Sequence, residues 1–184
     1  MPFTKKKIIA VLSIVLCIAA FAVTTTLALL MSLAGPVESD FTIGNVKISL
    51  QETTGGSYDL IPGSVIEKNP TVTVMGGSED CWLFVKVTKT EYFDDYLACE
   101  MAEGWTHLGG FNGVYYRSVE KSESDTVFGV LKDNSVTVSD TLTEEKMSAI
   151  DVSPKITFKA YAVQRYSIEE AYDAWQQILK EGME

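Results

Sequence analysis

The sequence CWLFVKVTKTEY, residues 81–92, carries the clearest strand pattern in this chain of 184 residues. Successive side chains of a β-strand point to opposite faces of its sheet. Leu83 and Val85 therefore lie on one face, and Trp82 and Phe84 lie on the other. Because both faces are apolar at the start of this segment, we predict a central strand that is covered on each side.

Eight further runs around this strand are alternating or rich in β-branched and aromatic residues, which are typical of strands. They lie at 41–43, 46–50, 71–74, 105–108, 114–119, 126–131, 135–139 and 155–166. The Asn112-Gly113 pair in the connection at 109–113 predicts a hairpin between the strands on either side. The short connection at 132–134 predicts a second hairpin in the same way.

The C-terminal residues follow a different period. Apolar side chains recur at helical spacing over 168–181, which predicts an amphipathic helix. Ser167 and Glu170 form a capping box at its start, and Gly182 is a natural stop at its end.

About seven to nine strands with frequent turns and one terminal helix indicate an all-β fold, either a jelly-roll or an immunoglobulin-like β-sandwich. No repeat or low-complexity tract divides residues 41–184, and their number is usual for one domain with its own core. We therefore predict a single β-sandwich domain with a C-terminal helix.

The N-terminus has the composition of a targeting segment. Lys5, Lys6 and Lys7 precede an uncharged stretch at 8–34 that is rich in Ile, Val, Leu and Ala. A basic region followed by an apolar one is typical of an export signal, and the stretch is also long enough to span a bilayer. Two alternatives follow: a cleaved signal peptide, or a retained transmembrane helix that anchors the domain outside the cell.

Cleavage after Ala28 or after Ala34 meets the requirement for a small residue at the end of the signal. Both sites stay open. The predicted organisation is an export signal at 1–28 (or extending to 34), an extended segment at 29–40 and the β-domain at 41–184.

The exported part is strongly acidic. All 25 acidic residues follow residue 28, together with 12 of the 15 basic residues, so its formal charge is −13. This charge argues against a nucleic-acid partner, because nucleic-acid backbones are bound by clustered Lys and Arg. It favours solubility outside the cell.

No set of residues in the sequence has the spacing of an active site. His107 is the single histidine, and neither a zinc-binding spacing nor a nucleophile elbow is present. The acidic stretch at 120–125 lacks the alternating ligands of a calcium loop. We therefore expect no catalytic residues, no bound metal and no cofactor.

Two cysteines, Cys81 and Cys99, belong to the exported part. An oxidising exterior permits a disulfide between them. Cys81 opens the predicted strand at 81–92 and Cys99 opens the segment that returns from it. In a simple hairpin they would lie at opposite ends, and the geometry that permits a bridge is narrow. A disulfide and two separately buried thiols remain the alternatives.

Aromatic residues on the predicted strands are the candidates for ligand binding. Trp82, Trp105 and Tyr115 would form a platform for stacking sugar rings if they shared one face of a sheet. The alternative is that they belong to the core or to cross-strand pairs, which stabilise sheets by ~0.2–1 kcal/mol each.

Several segments in order resemble a known family. Residues 5–28 resemble the export signals cut by the SipW-type signal peptidase, and FTIGNVKI at 41–48 resembles the opening strand of the proteins that it processes. The segments at 60–64 and 68–74 are similar to their second block, and residues from 155 onward are similar to their closing strand and Trp-bearing helix. Over nearly the whole chain, this order resembles that of the TasA and camelysin-like matrix proteins of Gram-positive biofilms.

The resemblance implies a jelly-roll-type β-sandwich that assembles into fibres, in which a segment near the mature N-terminus joins the sheet of a neighbour. In this sequence that segment is 29–40, and its candidate contact residues are Leu29, Leu33, Val37 and Asp40. The metalloprotease activity described for camelysin-type proteins is not expected, because the sequence has no set of zinc ligands.

The expected function is therefore that of an exported structural protein of the cell surface or extracellular matrix. Its partners would be further copies of itself, other matrix components and, during export, the membrane around the N-terminal helix. The alternative is a secreted or membrane-anchored module that binds a polysaccharide or a protein without catalysis. Either protein would lie outside the cell, and it would be anchored if the N-terminal helix is retained.

Overall fold

The central strand predicted at 81–92 is present in the computed structural model, which describes residues 40–56, 58–143, 145 and 153–182. It is β5 (Cys81–Lys89). The other strands of these residues are β1 (Asp40–Ile43), β2 (Ile48–Gln51), β3 (Val65–Glu67), β4 (Thr71–Val74), β6 (Leu97–Ala98), β7 (Thr106–His107), β8 (Val114–Val119), β9 (Thr126–Gly129), β10 (Ser135–Val138) and β11 (Ile156–Gln164). The helices are α1 (Phe93–Tyr96) and α2 (Ala171–Lys180), and a 3₁₀ turn spans Lys132–Asn134.

The strands form three sheets, with the orders β1-β11-β5-β8-β7, β3-β10-β6 and β2-β4-β9. All neighbours are antiparallel except β1, which runs parallel to β11. The described residues are thus mostly β with a C-terminal helix, as predicted. They contain two strands more than the nine predicted runs, β3 and β6, which have three and two residues and are too short to show an alternating pattern.

The strand β5 is covered on both sides, as predicted from its two apolar faces. Leu83 and Val85 belong to a core cluster that draws residues from all three sheets. Phe84, on the opposite face, packs against Trp175 of α2 with ring centroids 5.2 Å apart. Full burial of such side chains stabilises a fold by roughly 1.5–3 kcal/mol each.

The predicted C-terminal helix is confirmed, but its capping box is wrong. The helix begins at Ala171, and Glu170 is its N-cap without a side-chain hydrogen bond. Ser167 has a φ of 63°, in a turn that the Ile168 N–H closes by donating to Arg165 O at 3.0 Å. Because this turn ends before the helix starts, Ser167 is too early in the chain to cap it.

Of the two predicted hairpins, the first is confirmed: β7 pairs antiparallel with β8. The second is wrong, because β9 pairs with β4 whereas β10 pairs with β3 and β6. The connection contains Asp133 and Asn134 with φ of 54° and 49°. These left-handed residues redirect the chain from one sheet to the next.

The predicted N-terminal export signal lies outside the described residues, as do the cleavage candidates Ala28 and Ala34 and the assembly residues Leu29, Leu33 and Val37. Within the described part of the chain, neither helix has the length and apolar character needed to cross a bilayer. The described residues all belong to one unit, Glu38–Glu184.

Candidate functional site: an open sheet edge

Trp82 lies on the side of β5 that faces α2, where it packs with the second core cluster. Its indole N–H donates to Ile168 O at 3.0 Å. The ring of Tyr116 meets it edge-on at 5.8 Å, and the Arg165 guanidinium lies 5.4 Å from its ring centroid. Trp82 therefore makes its hydrogen bond and its ring contacts with residues of its own domain.

Trp105 packs on the opposite side of the five-stranded sheet, against the core that the three sheets share. Its indole N–H donates to Gly129 O at 2.8 Å. The Arg117 guanidinium lies 5.3 Å from the Trp105 ring and 4.0 Å from the Phe128 ring. Contacts of this type contribute about 0.5–2 kcal/mol, so Arg117 links the sheet of β8 to the sheet of β9.

The structure does not bring the three predicted ligand residues onto one face. Tyr115 lies opposite Val85 across the β5–β8 pair, which places it on the same side of the sheet as Trp105. Trp82 lies on the other side. The Tyr115 ring meets His107 edge-on at 5.3 Å.

Cys81 and Cys99 are free thiols. Burial raises the pKa of Cys81 to about 12, and burial also raises the pKa of Cys99. A thiol reacts as its thiolate, so neither cysteine is activated at neutral pH. Across the described ranges, no group of three or more His, Cys, Asp or Glu residues is arranged to hold a metal ion.

The edge strand β3 presents free backbone groups. At its two ends, Ser64 O accepts a bond from β10 at 2.9 Å, and Lys68 N–H donates to the residue before β10 at 2.7 Å. In an antiparallel pair, bonded and non-bonded residues alternate, so the N–H and C=O groups of Val65 and Glu67 point away from β10. No described residue bonds to these outward groups.

A groove of about 760 Å³ runs beside this edge, between β3 and the loop that follows β2. Its apolar lining includes Ile61, Val65 and Tyr58. Ile61 and Val65 are 61% and 67% exposed, which is unusual for large aliphatic side chains that lie close together. The edge therefore offers apolar surface next to free backbone groups.

The far wall of the groove is held in place by polar contacts. Asn69 Oδ1 accepts hydrogen bonds from the N–H groups of Thr53 and Thr54, at 3.0 and 3.1 Å. Lys68, only 7% exposed, forms an ion pair with Glu52 through Nζ and Oε1 at 2.5 Å. Because Lys68 and Asn69 directly follow β3, the two walls are tied to each other.

Of the other edge strands described in the structure, β1, β2 and β9 have four residues each, and β6 and β7 are shorter than β3. β6 and β7 have two residues each. On the outer edge of β9, the Trp105 indole N–H donates to Gly129 O, so this carbonyl is not free to bind a further strand. On β2, the side chains of Ile48 and Leu50 are already buried. β3 thus combines free backbone groups, exposed apolar side chains and an adjoining groove.

Comparison with family models, with curated proteins and with solved structures gave no match. The site is therefore interpreted from its own geometry. The sequence does not predict a strand at β3, which follows a turn that Pro62 and Gly63 favour. The signal that could have located it is the β-branched pair Val65-Ile66 between that turn and Asn69-Pro70.

Proposed function

We propose that the protein is an exported structural protein of the bacterial cell surface or extracellular matrix, which polymerises by β-strand addition. The observation that carries this proposal is the open edge of β3, where the outward N–H and C=O groups of Val65 and Glu67 have no partner among the described residues. Such groups are satisfied by any extended segment that can lie alongside them. A protein with this edge can therefore extend its sheet with a strand from another molecule.

The N-terminal segment is the proposed donor. Its last residue, Asp40, is also the first residue of β1, which lies at the edge of the five-stranded sheet. The chain therefore enters the domain at a sheet edge and not through the core. Residues 29–37 have no charged side chain, in an exported part whose formal charge is −13. An uncharged segment can approach a second acidic molecule without like-charge repulsion.

The arrangement of the strands as a jelly-roll β-sandwich is part of the same proposal. A jelly-roll β-sandwich, as in the TasA and camelysin-like proteins, is supported by the core cluster to which all three sheets contribute. It is also supported by the positions of the resembling segments, since FTIGNVKI covers β1 and the start of β2. Donation of a strand from each copy to a different surface of the next is a head-to-tail contact, and such contacts give filaments when they do not close.

The experiment compares the mature chain with a variant that lacks residues 29–37. Mass spectrometry of the secreted protein first gives the mature N-terminus: cleavage after Ala28 keeps the donor segment, whereas cleavage after Ala34 removes Leu29 to Ala34 and rejects it. Filaments in electron micrographs of the mature chain, and their absence in the deletion variant, are the expected result. Circular dichroism should show a β-rich spectrum and a cooperative melting transition for both, because the deletion lies before β1. Filaments from a folded deletion variant would reject strand donation by this segment.

A further inference from the structure

We infer that the groove beside β3 is the acceptor for residues 29–37 of a second copy of this chain. This inference rests on the proposed polymerisation and adds the surface that receives the donated strand. The free groups of Val65 and Glu67 supply two N–H donors and two C=O acceptors along one strand edge. An extended segment saturates them when its own backbone runs along the edge.

The side chains of the groove match those of the segment. Ile61 and Val65 are exposed on the acceptor. Leu29, Met31 and Leu33 of the segment are spaced by two residues and share one face of an extended strand. Docking that face against the groove removes apolar surface on both partners from water, which favours binding.

The charge of the groove also favours residues 29–37 as its occupant. Asp59 and Glu67 are carboxylates that line the groove, so an acidic strand would be repelled there. Residues 29–37 contain no acidic residue, and the first one in the chain is Glu38. The contact is therefore formed by the uncharged part of an otherwise acidic molecule.

The occupant belongs to a second molecule because the proposed polymerisation requires one copy to donate residues 29–37 to another. The acceptor strand β3 and the strand β1 that follows the segment belong to different sheets. The groove is also preorganised by the contacts of Lys68 and Asn69, which lowers the entropy lost on binding.

The test uses the full mature chain with substitutions at the acceptor. Val65→Pro removes one outward N–H and leaves the bonds to β10 intact, because Pro is tolerated at outward positions of an edge strand. Ile61→Asp places a charge in the groove without changing any backbone bond. The matched controls are Val127→Pro and Val127→Asp, since Val127 is 61% exposed on the edge strand β9. Loss of filaments with Val65→Pro and with Ile61→Asp, but with neither control, is the expected result.

A mixing experiment separates the two proposals. The variant lacking 29–37 can accept but not donate, and Val65→Pro can donate but not accept, so sedimentation of an equal mixture should show a one-to-one dimer. If the deletion abolishes filaments but the folded Val65→Pro and Ile61→Asp variants still form them, the acceptor is elsewhere and polymerisation stands. If the deletion variant forms filaments, the proposed function itself fails. A mature chain that stays monomeric while Ile61→Asp lowers its melting temperature would mean that the segment fills its own groove, which overturns the inference.

Discussion

The indole N–H of Trp105 donates to the carbonyl oxygen of Gly129 at 2.8 Å, across 24 positions of the sequence. Gly129 belongs to β9, an edge strand, and its carbonyl points away from the neighbouring strand β4. The bond therefore occupies one of the groups to which a further strand would bind. In this arrangement Trp105 protects one edge of the domain, while the edge of β3 stays open.

We predict that Trp105→Phe destabilises the domain and gives it a second association site. Loss of the hydrogen bond should lower the free energy of unfolding by about 0.5–1.5 kcal/mol in urea titrations. The freed edge of β9 should also increase light scattering during storage. Trp82→Phe is the matched control, because it loses the equivalent bond to Ile168 O but lies on an interior strand. Equal scattering from both variants would argue against edge protection by Trp105.

The ion pair between Lys68 and Glu52 gives the second prediction. Lys68→Met leaves the Glu52 carboxylate without its partner in a largely buried position. A hydrogen bond to a charged group contributes about 1.5–3 kcal/mol, and urea denaturation should show a loss of this size. Adding Glu52→Gln should recover part of it, because the two groups interact directly. If the losses of stability from Lys68→Met and from Glu52→Gln simply add in the double variant, the two side chains do not stabilise the fold through a direct interaction.

The local parts of the fold could be predicted from the sequence. The two apolar faces of β5 and the helical period of α2 are read from neighbouring residues, and both elements form as expected. The hairpin of β7 and β8 has its signal in the Asn112-Gly113 pair. Each of these elements is specified within one short stretch of chain.

The site depends on relations that no short stretch contains. β3 has three residues, and its outward groups are identified only by its pairing with β10, about 70 positions later in the chain. The faces of Trp82 and Trp105 are likewise set by the registers of β5 and β7 on β8. The left-handed residues Asp133 and Asn134 turn an expected hairpin into a crossing between sheets. Strand register and sheet order are long-range properties, so these features required the structure.

The third prediction concerns alkaline pH and Cys81. Burial raises the pKa of this thiol from 9.0 to about 12 in the folded state. Between these values the unfolded chain releases the thiol proton and the folded chain keeps it, so the free energy of unfolding falls as pH rises. Urea titrations from pH 8 to 11 should therefore show a shallower decline for Cys81→Ala than for the native chain. If the free energy of unfolding falls with pH at the same slope in Cys81→Ala and in the native chain, the thiol ionises equally in the folded and unfolded states.

The last prediction is that salt strengthens polymerisation. From residue 29 onward each chain carries a formal side-chain charge of −13, so two copies repel each other, and the segment proposed to join them has no charged side chain. The Debye length falls from about 30 Å at 0.01 M salt to about 10 Å at 0.1 M, which screens this repulsion without weakening apolar contacts. Sedimentation of the mature chain should show more polymer as sodium chloride is raised over this range. The variant lacking 29–37 should stay monomeric throughout, because screening alone supplies no strand. Polymers that dissociate as salt is added would instead indicate an interface held by ion pairs, which is incompatible with an uncharged donor segment.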